Sequence, residues 1–179
     1  MDFNLYTKSL RIRAFCENDA KSLNSICNQQ HIIKWMPDWC TSIEETRKAI
    51  DYFISQYPKA TKDVARLMFA IELDGSLIGM VGIGNKEEVD NEIEVAYFIS
   101  DYYTCKGYIT EAVSAVCDWA FKNLKMDYLI AIVEIDNLPS KCVVEKCYFK
   151  KIETRMILNS GESIEKPFYY YRIYNYMED

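Results

Sequence analysis

The stretch "CKGYITEAV" (105–113) sets one glycine, Gly107, between Lys106 and Thr110 at the head of a long amphipathic run. From Ile109 the apolar residues recur at helical spacing through Ala112, Val113, Val116, Ala120, Phe121 and Leu124. A strand-like stretch, "EIEVAYFIS" (92–100), ends just before it. Two chemistries fit a strand that runs through a one-glycine loop into a helix. One is plain turn chemistry. The other is anion binding, because a helix N-terminus carries unpaired N–H donors and a partial positive charge.

The elements that must position this loop follow from periodicity. "LRIRAF" (10–15) alternates as a strand, and a helix follows it, capped by Glu17 or Asn18, with Ala20, Leu23, Ile26 and Cys27 on its apolar face. "HIIKWMPDW" (31–39) reads as a short helix ending in a loop. Residues 41–57 open with a capping box, Ser42 and Glu45, and continue as a helix through Ile43, Thr46, Ile50, Phe53 and Ile54. The period then changes. Residues 66–85 are two strands joined by Asp74-Gly75, a hairpin signal. A third strand at 91–100 and the helix at 108–124 follow. "DYLIAIVEI" (127–135) is a buried strand, and 137–147 is a short helix with Pro139 in its first turn. Strands at 148–158 and 166–177 end the chain, the second rich in tyrosine. This order predicts an α+β fold: a mixed, mostly antiparallel sheet of about seven strands with helices on its faces, in one continuous domain over 1–179.

Bulk properties narrow the function. The 179 residues are half hydrophobic and 27% charged, with a net charge of −6. No basic stripe offers itself to nucleic acid phosphates. No apolar run is long enough to span a membrane, and "MDFNLYTKSL" has no apolar signal core. Seven cysteines with no C-x-x-C pair, and one histidine, predict no zinc site. The expectation is a cytoplasmic protein whose thiols are reduced and mostly packed as small hydrophobes.

Three motifs in order resemble the GNAT superfamily of N-acetyltransferases, and within it the RimJ/RimL branch that acetylates ribosomal-protein N-termini. "LRIRAFCENDAKSL" is similar to that branch's L-x-L-R-x-x-x-x-x-D-A. "EVAYFISDYYTCKGYITEAV" resembles E-x-G-Y-x-[LI]…W-G-K-G-Y-x-T-E-A, and "IDNLPSKCVVEKCYFKK" resembles x-x-N-x-x-S-x-x-[VL]-x-E-K-x-G-F. The chain departs from the superfamily signature Q/R-x-x-G-x-G/A at Thr104 and Ile109. Cys105 and Tyr148 each stand where the branch has glycine.

The resemblance implies acetyl-CoA as donor, coenzyme A as product and a primary amine as acceptor: a protein N-terminus, a polyamine or a small amine. The backbone amides of Cys105, Lys106, Gly107, Tyr108, Ile109 and Thr110 would cradle the coenzyme's pyrophosphate, with Lys106 adding charge and the Thr110 hydroxyl a hydrogen bond. Asn137 would bind the pantetheine arm, or cap the following helix as an Asx turn, or both. Ser140 would sit beside the coenzyme sulfur; otherwise it is a first-turn helix serine. The tyrosine that many members use as general acid is replaced here by Val144. An N–H near Tyr97, Phe98 or Ile99 would hold the oxyanion. Glu94 is the candidate base, since acetyl transfer needs somewhere for the amine's proton to go. Strand alternation puts Glu92, Glu94 and Ala96 on one face and Ile93, Val95 and Tyr97 on the other. His31 reads as structural, and Trp35, Met36 and Trp39 as pocket wall or core. With no histidine in sequence reach of a cysteine, direct transfer in a ternary complex is favoured over an acetyl-cysteine. The rival expectation is a non-catalytic GNAT-fold acyl-CoA-binding or sensor module. Monomer and homodimer both remain open.

Overall fold

The computed structural model describes residues 3–59, 61, 66–159 and 163–175. Its strands are β1 (Asn4–Tyr6), β2 (Arg11–Arg13), β3 (Arg66–Leu73), β4 (Ser76–Lys86), β5 (Glu92–Ile99), β6 (Tyr128–Glu134), β7 (Lys150–Ile157) and β8 (Lys166–Tyr174). Its helices are α1 (Ala20–Cys27), α2 (Gln30–Ile33), α3 (Ile43–Gln56), α4 (Tyr108–Leu124) and α5 (Leu138–Lys146). The expected strand at 10–15 shrinks to Arg11–Arg13, and β1 adds an eighth strand that three residues were too short to signal. Residues 176 and 177 of the last expected strand lie outside the described residues.

One sheet runs in the order β1-β2-β3-β4-β5-β6-β8-β7. All neighbours are antiparallel except β5 and β6. Phe69 of β3 meets Trp119 of α4 edge-on, while Met68, pointing the other way, lines a cavity with Leu23 of α1 and Phe53 of α3. Helices therefore cover both faces.

Local chemistry accounts for the element ends. The β3–β4 turn puts Asp74 and Gly75 both at positive φ, 49° and 79°, the backbone of a type I′ hairpin. Ser42 Oγ accepts from Glu45 N while the Glu45 carboxylate accepts from Ser42 N, closing the expected capping box on α3. At α1 the expectation fails: neither Glu17 nor Asn18 caps it. The Asp19 carboxylate instead accepts from Cys16 N at 2.8 Å and receives a fork from Arg13 at 2.7 and 2.8 Å. Burial alone would raise that carboxyl, but the Arg13 fork and the Cys16 amide hold it below its ordinary value. The thiols also differ from expectation. Cys27, Cys117 and Cys147 are buried, but Cys16, Cys40, Cys105 and Cys142 are exposed.

The sheet parts between β5 and β6. β5 pairs with β4 over its whole length, from Glu92↔Lys86 to Ile99↔Gly79. With β6 it keeps one register position, Glu94↔Ile130. Glu92 ties the closed end of this gap, accepting from Tyr128 Oη at 2.7 Å, Arg172 Nη2 at 2.8 Å and Tyr170 Oη at 2.8 Å. Charge-assisted bonds from β6 and β8 thus pin β5 at the point where the strands begin to diverge.

Helix α5 ends in a Schellman motif. Tyr148 N donates to Glu145 O and Phe149 N to Val144 O, and both Phe149 and Val144 lie in the core. That geometry needs a left-handed residue at position 148, and Tyr148 supplies it at φ 65°. A side chain there carries a steric cost of roughly 1 kcal/mol, and Tyr148 is 82% exposed, so its ring returns little burial. Tyr148→Gly is therefore expected to stabilise the fold by about 0.5–1 kcal/mol. Urea denaturation checks this; an unchanged or lower midpoint contradicts it.

Candidate active site

The gap between β5 and β6 opens into a cavity of about 540 Å³. That is the size range of small-molecule sites. Its lining runs from the loop before α4, along β5 and β6, to α5. Of the expected site residues, Glu94, Tyr97, Phe98, Ile99, Cys105, Gly107, Ile109, Thr110, Asn137 and Ser140 all line it. They come from four elements and two faces of the sheet. This is possible because the cavity passes through the sheet where the strands part.

At one end stands the α4 N-terminus. Gly107 is its N-cap at φ 86°, and the first helical bond runs from Glu111 N to Gly107 O at 3.0 Å. The N–H groups of the first turn therefore have no helical partner. A Cβ built on Gly107 meets nothing within 4 Å, so the requirement there is backbone conformation rather than space. Cys105 is left-handed as well, at φ 59°. Lys106 and Tyr108 are outside the lining. The Lys106 ammonium donates to Tyr102 O at 2.9 Å and lies 5.4 Å from the Tyr103 ring, so its charge is turned away from the cavity. The Tyr108 ring leans toward Tyr103, with centroids 6.5 Å apart. Only the backbone of these two residues is left for the anticipated cradle.

Side chains meet the peptide groups that the gap leaves without a strand partner. Glu94 Oε1 accepts from Ile132 N at 3.3 Å. His31 Nε2 lies 2.9 Å from Ile99 O. A carbonyl only accepts, so Nε2 carries the proton. His31 thereby ties α2 to the far end of β5, a role its isolation in sequence did not reveal.

Asn137 caps α5, its Oδ1 accepting from Ser140 N at 3.2 Å, and still lines the cavity. A helix cap and a place in the cavity lining thus coexist in one residue. Ser140 Oγ lies 2.8 Å from Tyr97 Oη, and the phenol also lies 3.2 Å from Ser140 O. Burial raises the Tyr97 phenol well above its ordinary value, against a smaller lowering by the Ser140 hydrogen bond. Val144 is fully buried in the core, as its apolar type requires.

A second cavity, of about 860 Å³, lies under α1, α3 and the segment 34–41 between them. It shares Trp35, Met36, Lys86, Glu94, Ala96, Glu134 and Asn159 with the first. Glu94 thus stands where the two meet. Desolvation raises its carboxyl to about 7, opposed in part by Lys86 and the Ile132 amide. Trp35, Met36 and Trp39 are pocket wall. The acids and bases of the junction, Lys86 and Glu134, gave no sequence signal, because each belongs to the end of a different strand.

Relatives share this architecture. Residues 9–150 match the family model described as an acetyltransferase (GNAT) domain. YdaF of Bacillus subtilis, named as a candidate ribosomal N-acetyltransferase, is 27% identical over 144 residues, 78% of this chain and 77% of that protein. A GNAT-family acetyltransferase from Bacillus anthracis superposes with a TM-score of 0.78 at 23% identity, covering 97% of this chain and 99% of its own. RimL, a ribosomal-protein α-N-acetyltransferase solved with coenzyme A, superposes at 0.80 with 16% identity over 96% of this chain and 98% of its own. The sheet order, the parted strands and the matched residues lead to one conclusion: this chain belongs to the GNAT family and is an acetyltransferase.

Proposed function

We propose that this protein moves the acetyl group of acetyl-CoA directly to a primary amine within a ternary complex, as a single domain. One observation carries the reading: Glu94 stands where a cavity that starts at a helix N-terminus meets a second, aromatic-walled cavity. The donor enters from the first and the acceptor from the second. The residues present fit the donor. The first-turn amides of α4 suit a pyrophosphate, and Thr110 adds a hydroxyl. The gap between β5 and β6 suits an extended arm whose amides take the place of a strand partner. Asn137 lies beside that arm, and the Ser140 hydroxyl beside the sulfur.

The chemistry follows from the groups. The amine must be neutral to attack. Below pH 7 most α-amines, at ~7.7–8.0, are still protonated, and lysine side chains at ~10.4 far more so. Glu94 accepts the proton as the N–C bond forms. An N–H of the β5 stretch Tyr97–Ile99 holds the oxyanion. The C–S bond then breaks, and the thiolate is a good enough leaving group to need only a hydrogen bond, its conjugate acid lying near ~8.5 on a cysteine scale. Among amines, a protein N-terminus is the acceptor we favour, because YdaF and RimL carry ribosomal N-acetyltransferase names and because an α-amine is more readily neutral. A polyamine or a small metabolite amine is the alternative. Among the described residues, no helix is long and apolar enough to cross a membrane.

Thermal shift tests the donor. Acetyl-CoA at ~100 times its dissociation constant stabilises the fold by about 2.7 kcal/mol. No shift at millimolar cofactor would support the non-catalytic module instead. An acceptor screen with labelled acetyl-CoA, covering N-terminal peptides, polyamines and aminoglycosides, then ranks the amines.

Glu94 yields two further outcomes. A base must be unprotonated, so kcat/KM should rise with pH through about 7. Glu94→Gln should lower kcat/KM by ~100-fold and leave only the amine's own ionisation in the profile. An unchanged profile removes the base assignment. The folded carboxyl binds its proton more tightly than the unfolded one, so its contribution to stability is present at acid pH and lost as pH rises through about 7. Glu94→Gln should thus stabilise the fold more at pH 8 than at pH 4, by on the order of 2–3 kcal/mol, seen as a gain in Tm that shrinks as pH falls.

A further inference from the structure

We infer that the Tyr97 side chain is a positioning residue that aims the Ser140 hydroxyl at the coenzyme sulfur. This rests on the proposed place of Ser140 and adds a partner to it. Ser140 sits in the first turn of α5, where a serine hydroxyl can turn to several acceptors. Its amide is fixed on Asn137 Oδ1 at 3.2 Å, which sets the backbone but leaves the hydroxyl rotor free. Tyr97 Oη stands 2.8 Å from Ser140 Oγ, across the parted strands, and both side chains line the donor cavity.

The direction of that hydrogen bond decides what Ser140 can do. If Ser140 donates to the phenol, its proton is used and nothing is left for the sulfur. If Tyr97 donates to Oγ, the serine proton is free to point elsewhere. Two facts favour the second arrangement. The phenol has one proton, and Ser140 Oγ at 2.8 Å is a nearer acceptor than Ser140 O at 3.2 Å, so the hydroxyl takes it and the carbonyl is at most a second, weaker acceptor. A phenol is also a better donor and a poorer acceptor than an aliphatic hydroxyl, and burial keeps the Tyr97 proton in place at every working pH. Tyr97 then gives up no proton during turnover. Its O–H orients Oγ, the Oγ–H donates a hydrogen bond to the sulfur as the C–S bond breaks, and the electron pair of that bond leaves with the sulfur as the thiolate.

The position is distinct from the general-acid tyrosine that many members carry on the α5 helix, which is Val144 here. Tyr97 comes from the sheet instead. The motif around "EVAYFI" drew notice for its backbone, and alternation put Tyr97 on the face opposite Glu94. Only the packing of α5 over that face brings the phenol to Ser140.

The test reads the thiol itself and needs no acceptor. Wild type, Tyr97→Phe, Ser140→Ala and the double variant are each saturated with coenzyme A. The ultraviolet absorbance of its thiolate is then titrated. A hydrogen bond from Ser140 favours the thiolate, so wild type should titrate about one pH unit below the free value of ~8.5. Ser140→Ala should return it to that value. Tyr97→Phe should recover most of the same shift, and the double variant should match Ser140→Ala. In turnover with the best amine from the screen, Tyr97→Phe should cut kcat by about tenfold with KM for acetyl-CoA unchanged, and should have no added effect in the Ser140→Ala background. Tyr97→Phe that titrates like wild type, or that costs equally in both backgrounds, overturns the role of Tyr97. Ser140→Ala that titrates like wild type overturns the place of Ser140 itself. Failure of coenzyme A to bind overturns the donor reading.

Discussion

The parting of β5 from β6 is the constraint on which the rest of the molecule depends. A sheet gains by pairing every peptide group, and here it stops after one register position. Buried peptide groups without partners are costly, so the opening persists only because other groups hold its sides and ends. β5 is held along its length by β4, and β6 by β8. Glu92, gripped by Tyr128, Tyr170 and Arg172, fixes the closed end. Glu94 and His31 each satisfy one backbone group facing the opening. What remains is a slot between two strands, lined by backbone on both sides.

Backbone conformation, more than side-chain identity, defines the start of α4 and the end of α5. Cys105 and Tyr148 both take the left-handed conformation that glycine would adopt without cost. The chain thus carries strain at two positions rather than altering the loop before α4 or the Schellman turn after α5. Both positions are exposed, which lets a side chain occupy them without a clash in the core. Gly107, at φ 86°, retains the one glycine at the helix N-cap itself.

Electrostatics at the centre come from placement rather than from a cluster of charges. Glu94 is a half-buried carboxylate at the junction of two cavities, and desolvation moves it toward neutrality. That makes it a stronger base than an exposed carboxylate while leaving it largely ionised above pH 7. The same burial that costs stability at high pH gives the carboxylate its basicity. Burial raises the Tyr97 phenol as well, which keeps its proton in place.

Much of this was legible in the residues. Helical periodicity placed α4 at 108–124, the Asp74-Gly75 pair located a hairpin, and Ser42 with Glu45 marked the start of α3. Each is a local rule, decided within a few residues. Short pieces were read less well: β1 is three residues, too brief for alternation to register, β2 is shorter than its alternation suggested, and the α1 cap was misplaced because Arg13 draws in Asp19. The motifs named the loop, Asn137 and Ser140, yet they gave Lys106 an inward charge that the fold turns outward. By itself, then, the sequence determined the elements and the residue types at the site, because those depend on neighbours along the chain. The tertiary structure alone decided that β5 and β6 part, that Glu94 lies between two cavities, and that Tyr97 meets Ser140. Those are contacts between distant segments, set by how helices pack on a sheet and by which peptide groups find partners.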